Sequence, residues 1–230
     1  MSNFIGSTDR GGHHAKKKRA AKTALVVLFS SAMSCGLALA DDPQPEPMVK
    51  SSESLWRGTA GDGFPKGTHE LDVVAGAGMG VRILENHAHD WVFGALDFGW
   101  IFTDVVGQDH WFRGNWELIG EVFGGEQFHP DAAYFVGGGP HLRYDFAPGH
   151  RWVPFLDLGA GATATDIRNG DISTTFEFNL QAGAGAHFFL TDHLAMTLQA
   201  RFIHFSNAGI EFPNLGVNVL TGLVGVSWFF

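Results

Sequence analysis

The sequence predicts an all-β fold, an eight-stranded antiparallel transmembrane β-barrel. Eight runs of about a dozen residues alternate between apolar and polar side chains, and turn residues separate them. The polar positions hold Arg, Asp, Glu, Gln and His among abundant glycine, whereas the apolar positions are aromatic near the ends of the runs. Tilted strands of about 9–11 residues suffice to cross a bilayer. Closure into a barrel would leave no unpaired strand edge in lipid.

The parity of the apolar residues defines the predicted strands one by one. In the first run the odd positions from Leu71 to Val81 are apolar, and Asp72 has the opposite parity. In the seven later runs the even positions are apolar, and polar residues such as Asp97 occupy odd ones. Successive side chains of a strand point to opposite faces, so each run has one lipid-facing and one interior face. The predicted strands are, in order, Leu71–Ile83, Val92–Phe102, Trp111–Phe123, Tyr134–Phe146, Trp152–Ala162, Phe176–Phe188, Leu194–His204 and Val219–Phe230.

A soluble β-sandwich is the alternative fold, because its strands alternate in the same way. Its polar faces would carry many exposed lysines, which these runs do not. The terminal Trp228-Phe229-Phe230 also resembles the C-terminal aromatic signal of bacterial outer-membrane barrels. This resemblance implies that Phe230 contacts the barrel-assembly machinery and that the protein resides in the outer membrane of a Gram-negative bacterium.

The chain begins with a segment that has the features of a secretory signal peptide. Basic residues 16–19 and Lys22 precede an apolar run, and Ala38-Leu39-Ala40 forms a small-residue cleavage pattern. The predicted organisation is a signal peptide over residues 1–40, a periplasmic leader rich in proline and glycine over 41–67, and the barrel over 68–230. Cleavage would remove Cys35, the one cysteine of the chain, so a disulfide or a cysteine nucleophile is not expected.

The charges of the chain argue against a nucleic-acid partner. Without residues 1–40 the chain has nine basic and 23 acidic residues, a net charge of −14, and nucleic-acid binding proteins are basic. Six charged residues on interior parity predict a salt-bridge network that fills a barrel too narrow to conduct, with a proton path or a pore as the alternative. These residues are Glu117, Glu121, Arg143, Asp157, Glu177 and Arg201.

The connections between the runs predict which end of the barrel faces outward. If the chain enters from the periplasm, both ends of the chain lie there. The tight connectors at 147–150 and 190–193 then fall on the periplasmic side, and those at 85–90, 124–131, 164–173 and 207–217 lie outside. The periplasmic connector at 103–110 is longer than this rule expects.

A histidine and a serine lie two residues apart at the predicted outer end of the seventh strand. His204 and Ser206 share the parity of Leu198 and Phe202, so both should face the outer-leaflet lipid. Asn218 on the eighth strand has the lipid-facing parity too, and opposite cross-strand neighbours lie roughly 5 Å apart. Polar groups in lipid are unfavourable unless they are paired or near the headgroups. A serine with a neighbouring histidine base is suited to acyl transfer, and a pair of interfacial polar side chains is the alternative.

The run His204-Phe205-Ser206-Asn207-Ala208-Gly209, followed by Pro213-Asn214 and Gly216, resembles the PagL family of outer-membrane lipid A 3-O-deacylases. The resemblance implies that Ser206 is the nucleophile and His204 the general base. It also implies that Asn207, Gly209 and Asn214 form the oxyanion hole. The substrate implied is the ester-linked acyl chain at the 3-position of lipid A, within lipopolysaccharide, hydrolysed by a serine esterase without a metal or another cofactor.

The sequence departs from the family pattern at one catalytic position. The glutamate expected twelve residues after the nucleophile is replaced by Asn218, which can orient a histidine but cannot stabilise its imidazolium by charge. Reduced or lost activity is therefore one alternative, and Glu211 in the same loop is a candidate substitute acid.

The sequence leaves three other questions beside the lipid A esterase: a second function, the oligomeric state and a metal site. A catalytically silent outer-membrane barrel with a structural or surface-interaction role is the alternative function, and a homodimer is left open. His87, His89 and His129 lack a convincing metal-ligand spacing, so no metal site is expected.

Overall fold

The fold is seen in a computed structural model of the 230-residue chain. The structure describes Leu55, Trp56, and residues 58–83 and 87–230. The predicted signal peptide and most of the predicted leader lie outside these residues. Within the described part of the chain, no helix is long and apolar enough to cross a membrane.

The predicted fold class is confirmed. Eight antiparallel strands follow one another around a closed barrel, and the last pairs with the first. The strands are β1 His69–Gly80, β2 Asp90–Ile101, β3 Gly114–His129, β4 Ala133–Phe146, β5 Trp152–Thr165, β6 Phe176–Phe189, β7 Leu194–Ser206 and β8 Val217–Phe229. The connections β1–β2, β3–β4, β5–β6 and β7–β8 share one end of the barrel, called here the loop end. The opposite end is called the turn end.

The largest departure from the predicted strands is in β3. It begins at Gly114 rather than Trp111 and continues to His129, so residues 130–132 alone connect it to β4. The predicted outer loop at 124–131 is therefore wrong, because Gly124 and Gly125 remain paired with β2 and β4. At Gly125 an added Cβ would lie 2.3 Å from the Val92 carbonyl oxygen. This glycine permits close packing inside the sheet and is not a turn signal.

The interior of the barrel is charged in its middle. Arg143 is fully buried, and its guanidinium lies 2.6 Å from a carboxylate oxygen of Glu70 and 3.5 Å from one of Glu117. Arg201 pairs with Glu121. Apolar side chains on the opposite parity, from Leu71 on β1 to Trp228 on β8, are exposed on the outside. The interior therefore contains the predicted salt-bridge network without Glu177, whose carboxylate accepts a hydrogen bond from the Thr174 hydroxyl instead. The outer surface has the apolar character that lipid requires.

Aromatic side chains fill the interior on either side of this network. Toward the loop end, Trp91 packs against Phe135 and Phe205, with ring centroids 4.8 and 5.3 Å apart. At the turn end, Trp56 and Phe64 from the segment before β1 pack against the ring of Phe189, which contacts Phe229. The barrel thus has an apolar plug at each end. The alternation predicts a polar packed interior, and it does not predict these apolar clusters at the two ends.

Candidate functional site

The candidate site is built on the paired ends of β7 and β8 at the loop end. In the ladder, His204 is directly opposite Asn218 and Phe205 is opposite Val217. Phe205 is fully buried in the loop-end aromatic cluster. Since neighbouring side chains alternate, this anchor directs His204 and Ser206 to the outer surface, as the sequence predicts.

His204 is held by Asn218. Its Nδ1 atom lies 2.7 Å from the side-chain oxygen of Asn218, and Asn218 is 4% exposed. A hydrogen bond from Nδ1–H to this oxygen leaves Nε2 without a proton and free to act as a base. The carboxylate of Glu211 is exposed and has no hydrogen bond to His204 among the described residues, so nothing in the geometry supports Glu211 as a substitute acid.

The Ser206 hydroxyl oxygen accepts hydrogen bonds from the loop that follows β7. The donors are the backbone amide of Ala208 at 3.1 Å and the side-chain amide of Asn214 at 3.5 Å. Within the described chain, no hydrogen bond joins Ser206 to His204, although both line one groove. Proton transfer between them therefore requires the serine side chain to turn, a rotation of the kind that exposed side chains make within nanoseconds.

The loop at 207–216 is ordered by its own asparagines. The Asn207 backbone amide donates to the side-chain oxygen of Asn214 at 3.0 Å, and the Gly209 amide donates to the side-chain oxygen of Asn207 at 2.9 Å. The backbone amides of Asn207 and Gly209 are therefore occupied within the loop. Of the three residues that the family resemblance assigns to the oxyanion hole, Asn214 alone directs a donor at Ser206 Oγ.

Two loop residues have roles that the sequence analysis did not assign. Ala208 has a φ of 55°, an unusual value for a residue other than glycine, and this conformation accompanies the amide contact with Ser206. Gly216 has a φ of 83°, and a Cβ there would lie 2.7 Å from His204 Cε1. For Gly216 the sequence holds a signal, because glycine is the residue that permits positive φ and close approach. For Ala208 the sequence holds no such signal.

Two apolar grooves flank His204 on the lipid-facing surface. One, of about 700 Å³, reaches His204 and Ser206 and is lined otherwise mainly by small residues of β4 and β5. The other, of about 450 Å³, reaches His204 and Asn218. In the ladders Ala162, Phe178 and Ser206 are neighbours, as are Ala160, Leu180 and His204. The short side chains at 160 and 162 leave the surface recessed two strands away from the serine and histidine.

The three histidines considered as metal ligands are not arranged as a ligand set. His87 Nδ1 and His89 Nε2 both contact the same carboxylate oxygen of Asp171, at 3.0 and 2.8 Å. His129 is exposed at the end of β3. In residues 58–83 and 87–230, no group of three or more His, Asp or Glu side chains has an arrangement that could hold a metal ion.

Fold and site together define a β-barrel of the bacterial outer membrane with a serine, histidine and asparagine cluster on its lipid-facing surface. The family model of lipid A 3-O-deacylase (PagL) matches residues 94–227. The chain belongs to the PagL family. The match covers β3–β7 and most of β2 and β8, and it includes every candidate site residue.

Known proteins similar to this chain include an enzyme and a surface protein. The lipid A deacylase PagL of Bordetella bronchiseptica is 31% identical over 131 residues, which are 48% of this chain and 64% of that protein. The chain thus matches somewhat less than two thirds of this relative's length. The crystal structure of the outer membrane enzyme PagL has 19% identity and a TM-score of 0.51, covering 68% of this chain and 97% of the other. Neisserial surface protein A has 13% identity and a TM-score of 0.50, covering 71% and 96%. At these identities the two structures support the fold alone.

Proposed function

We propose that this protein is a lipid A 3-O-deacylase, a serine esterase that hydrolyses the ester-linked acyl chain at the 3-position of lipid A. The observation that carries the proposal is the lipid-facing cluster of Ser206, His204 and Asn218 beside an apolar groove. Family membership supplies the substrate class, and the named activity of the Bordetella relative agrees with it. The substrate partner is lipid A within lipopolysaccharide.

The first step forms an acyl-enzyme. Ser206 Oγ turns toward His204 Nε2, which takes its proton while the oxygen attacks the ester carbonyl carbon. The tetrahedral intermediate then expels the 3-oxygen of the sugar, which receives the proton from His204. The acyl chain is left on Ser206. Asn218 supports this role by fixing the proton on Nδ1.

The donors around Ser206 supply the oxyanion site in this proposal. The Ala208 amide and the Asn214 side-chain amide donate to Ser206 Oγ in the resting geometry. When the hydroxyl turns toward His204, both donors become available to the carbonyl oxygen that gains negative charge. Removing one oxyanion donor typically slows an enzyme by about 10²–10³. Asn214 thus keeps the role that the resemblance implies, and we add the Ala208 amide.

Water completes the reaction. His204 Nε2 removes a proton from a water molecule, whose oxygen attacks the acyl-enzyme carbonyl. Collapse of the second tetrahedral intermediate releases the fatty acid and returns the proton to Ser206. The groove of about 700 Å³ beside Ser206 would hold the acyl chain during both steps. Its lining is apolar, as an acyl chain requires.

The proposal needs neither a partner subunit nor a cofactor, because all of its groups come from one chain. We also propose that Phe230, which is half-exposed at the C-terminus, is recognised by the barrel-assembly machinery before insertion. In this proposal the signal peptide over residues 1–40 directs export of the chain before that step, and residues 41–67 precede the barrel as a leader.

Mass spectrometry of lipid A from cells that express the protein tests the function. The expected result is lipid A lighter by one 3-linked acyl chain, together with the matching free fatty acid. Ser206→Ala should abolish the shift at equal amounts of folded protein, because the nucleophile is lost. Ser227→Ala is a matched control, since Ser227 is a buried serine of β8 at the turn end.

An unchanged lipid A profile from folded wild-type protein in the outer membrane would overturn the proposal and favour a catalytically silent barrel. The replacement of glutamate by Asn218 is the observation that favours this second function. Full activity in Ser206→Ala would instead overturn the assignment of the nucleophile.

A further inference from the structure

A buried carboxylate joins the β1–β2 connection to the β5–β6 loop. The side chain of Asp171 is 0% exposed, and its Oδ2 atom lies 2.8 Å from His89 Nε2 and 3.0 Å from His87 Nδ1. The same oxygen accepts the His87 backbone amide at 3.0 Å. Three donors thus converge on one oxygen of a residue outside the family-like motif.

His89 is itself fixed to the barrel wall. It is fully buried, and its Nδ1 atom lies 2.6 Å from the side-chain oxygen of Gln127 on β3. Gln127 is 1% exposed and also donates to the backbone oxygen of Asp131. The His89 imidazole therefore links the side chain of Asp171 to Gln127 on β3.

The backbone around Asp171 holds the loop that follows β7. The Asp171 carbonyl oxygen accepts the amides of Leu215 at 2.8 Å and Gly216 at 3.3 Å. The next residue, Ile172, forms an isolated β-bridge with Asn214. Asn214 is the oxyanion donor of the proposed mechanism, and Gly216 packs against His204. A continuous series of contacts thus links β3, through His89 and Asp171, to Asn214 beside Ser206 and to Gly216 beside His204.

We propose that Asp171, held by His87 and His89, is a positioning residue that keeps Asn214 and Gly216 in their working geometry. The inference rests on the proposed esterase function, which gives that geometry its purpose. Asp171 does not touch the reacting atoms. It acts because a loop tied to a strand by buried hydrogen bonds samples fewer positions than a free loop.

The expected consequence is a loss of turnover and not of substrate binding. Misplacing a reacting group by about 1 Å can slow an enzyme about 10²-fold. The apolar groove of β4 and β5 would still bind the acyl chain. Asp171→Ala should therefore lower kcat about 10- to 100-fold and change KM by less than about threefold. Asp171→Asn retains one oxygen for His89 Nε2–H and should be intermediate.

The test combines two measurements on purified, lipid-reconstituted protein. Deacylation kinetics give kcat and KM, and hydrogen exchange read by mass spectrometry follows the amides of residues 207–216. Asp171→Ala should speed exchange in that segment, including Leu215 and Gly216, while β1–β8 exchange as in the wild type. Asp131→Ala is the matched control, because Asp131 is an exposed aspartate at the same end whose backbone oxygen, not its carboxylate, is used.

The outcomes separate this inference from the proposed function. Wild-type kcat in Asp171→Ala, or unchanged exchange in residues 207–216, would overturn the positioning role in an active enzyme. A change in KM alone would overturn it too. If the wild-type protein has no deacylase activity, the proposed function fails. Faster hydrogen exchange in Asp171→Ala would then still establish that the contacts of Asp171 with His87 and His89 hold the loop at 207–216 in place.

Discussion

At the scale of single residues, the atom that Asn218 presents to His204 decides what the imidazole can do. The Asn218 side-chain oxygen is 2.7 Å from Nδ1, so the ring carries its proton there and has Nε2 available. In a serine protease, an Asp-to-Asn change lowers turnover by about 10⁴, largely by stabilising the wrong tautomer. In this protein the His204 tautomer with its proton on Nδ1 is the one that general-base catalysis requires. The deficit relative to a glutamate is therefore the missing charge on the third residue.

This difference leads to a prediction for Asn218→Glu. A hydrogen bond to a charged group contributes about 1 kcal/mol more than a neutral one, so the stabilised imidazolium should raise kcat about five- to tenfold. Lipid A deacylation by purified protein measures the effect. Asn218→Ala is the comparison and should lower kcat, because it removes the acceptor that fixes Nδ1. Equal rates in all three proteins would show that the third position does not orient His204.

The sequence could predict one part of this site and not another. The parity of β7 and β8 is a local property of alternating strands, and it correctly brought His204, Ser206 and Asn218 to one face. The hydrogen bonds of the loop at 207–216 depend on backbone angles such as the φ of 55° at Ala208. They also depend on contacts with Asp171 some 40 residues earlier in the chain. Neither the backbone angles of this loop nor its contacts with Asp171 produce a periodic pattern in the sequence.

At the scale of elements, β4 and β5 shape the surface on which a substrate chain would lie. Ala160 and Ala162 face outward where larger side chains are common, and the groove beside Ser206 exists because these side chains are short. The sequence showed small residues in these strands, but their importance depends on the register. That register puts Ala160 in one row with Leu180 and His204.

Filling the groove should change the acyl specificity. Ala160→Phe would cover the recess and exclude two or three methylenes of a long chain, each contributing about 0.8 kcal/mol. The activity on long-chain substrates should fall roughly 10- to 100-fold, with a smaller loss for short chains. Esters of graded chain length measure it. Ala77→Phe on the outward face of β1 is the control, and an equal loss in both variants would contradict a role for this groove.

The stability of the paired strands also depends on the ion pairs inside the barrel. Arg143 on β4 lies within reach of carboxylates on β1, β3 and β5. Arg143→Leu would leave these acids buried without their cation, which typically costs about 3–5 kcal/mol of unfolding free energy. Urea unfolding in lipid vesicles measures the change. Lys66→Met, at an exposed position before β1, should be neutral, and an equally small effect for both variants would show that the network is not needed for stability.

At the scale of the whole molecule, the position of the site demands one orientation in the membrane. The predicted substrate is in the outer leaflet, so the loop end that carries Ser206 should face the cell exterior. The turn end, with the aromatic plug of Trp56 and Phe64, should face the periplasm. Strand count and the short turns at 147–150 and 190–193 allowed this orientation to be predicted. The plug escaped prediction because it depends on a segment without alternation.

Cysteine labelling on intact cells tests this orientation. Ile210→Cys places a thiol in the exposed β7–β8 loop, and Asp192→Cys places one in the exposed β6–β7 turn. A membrane-impermeant maleimide should label Cys at 210 in intact cells, and Cys at 192 only after the outer membrane is permeabilised. Both variants should deacylate lipid A like the wild type, since neither residue belongs to the proposed machinery. Labelling at 192 but not 210 in intact cells would place Ser206 in the periplasmic leaflet, away from the lipid A that the proposed reaction requires.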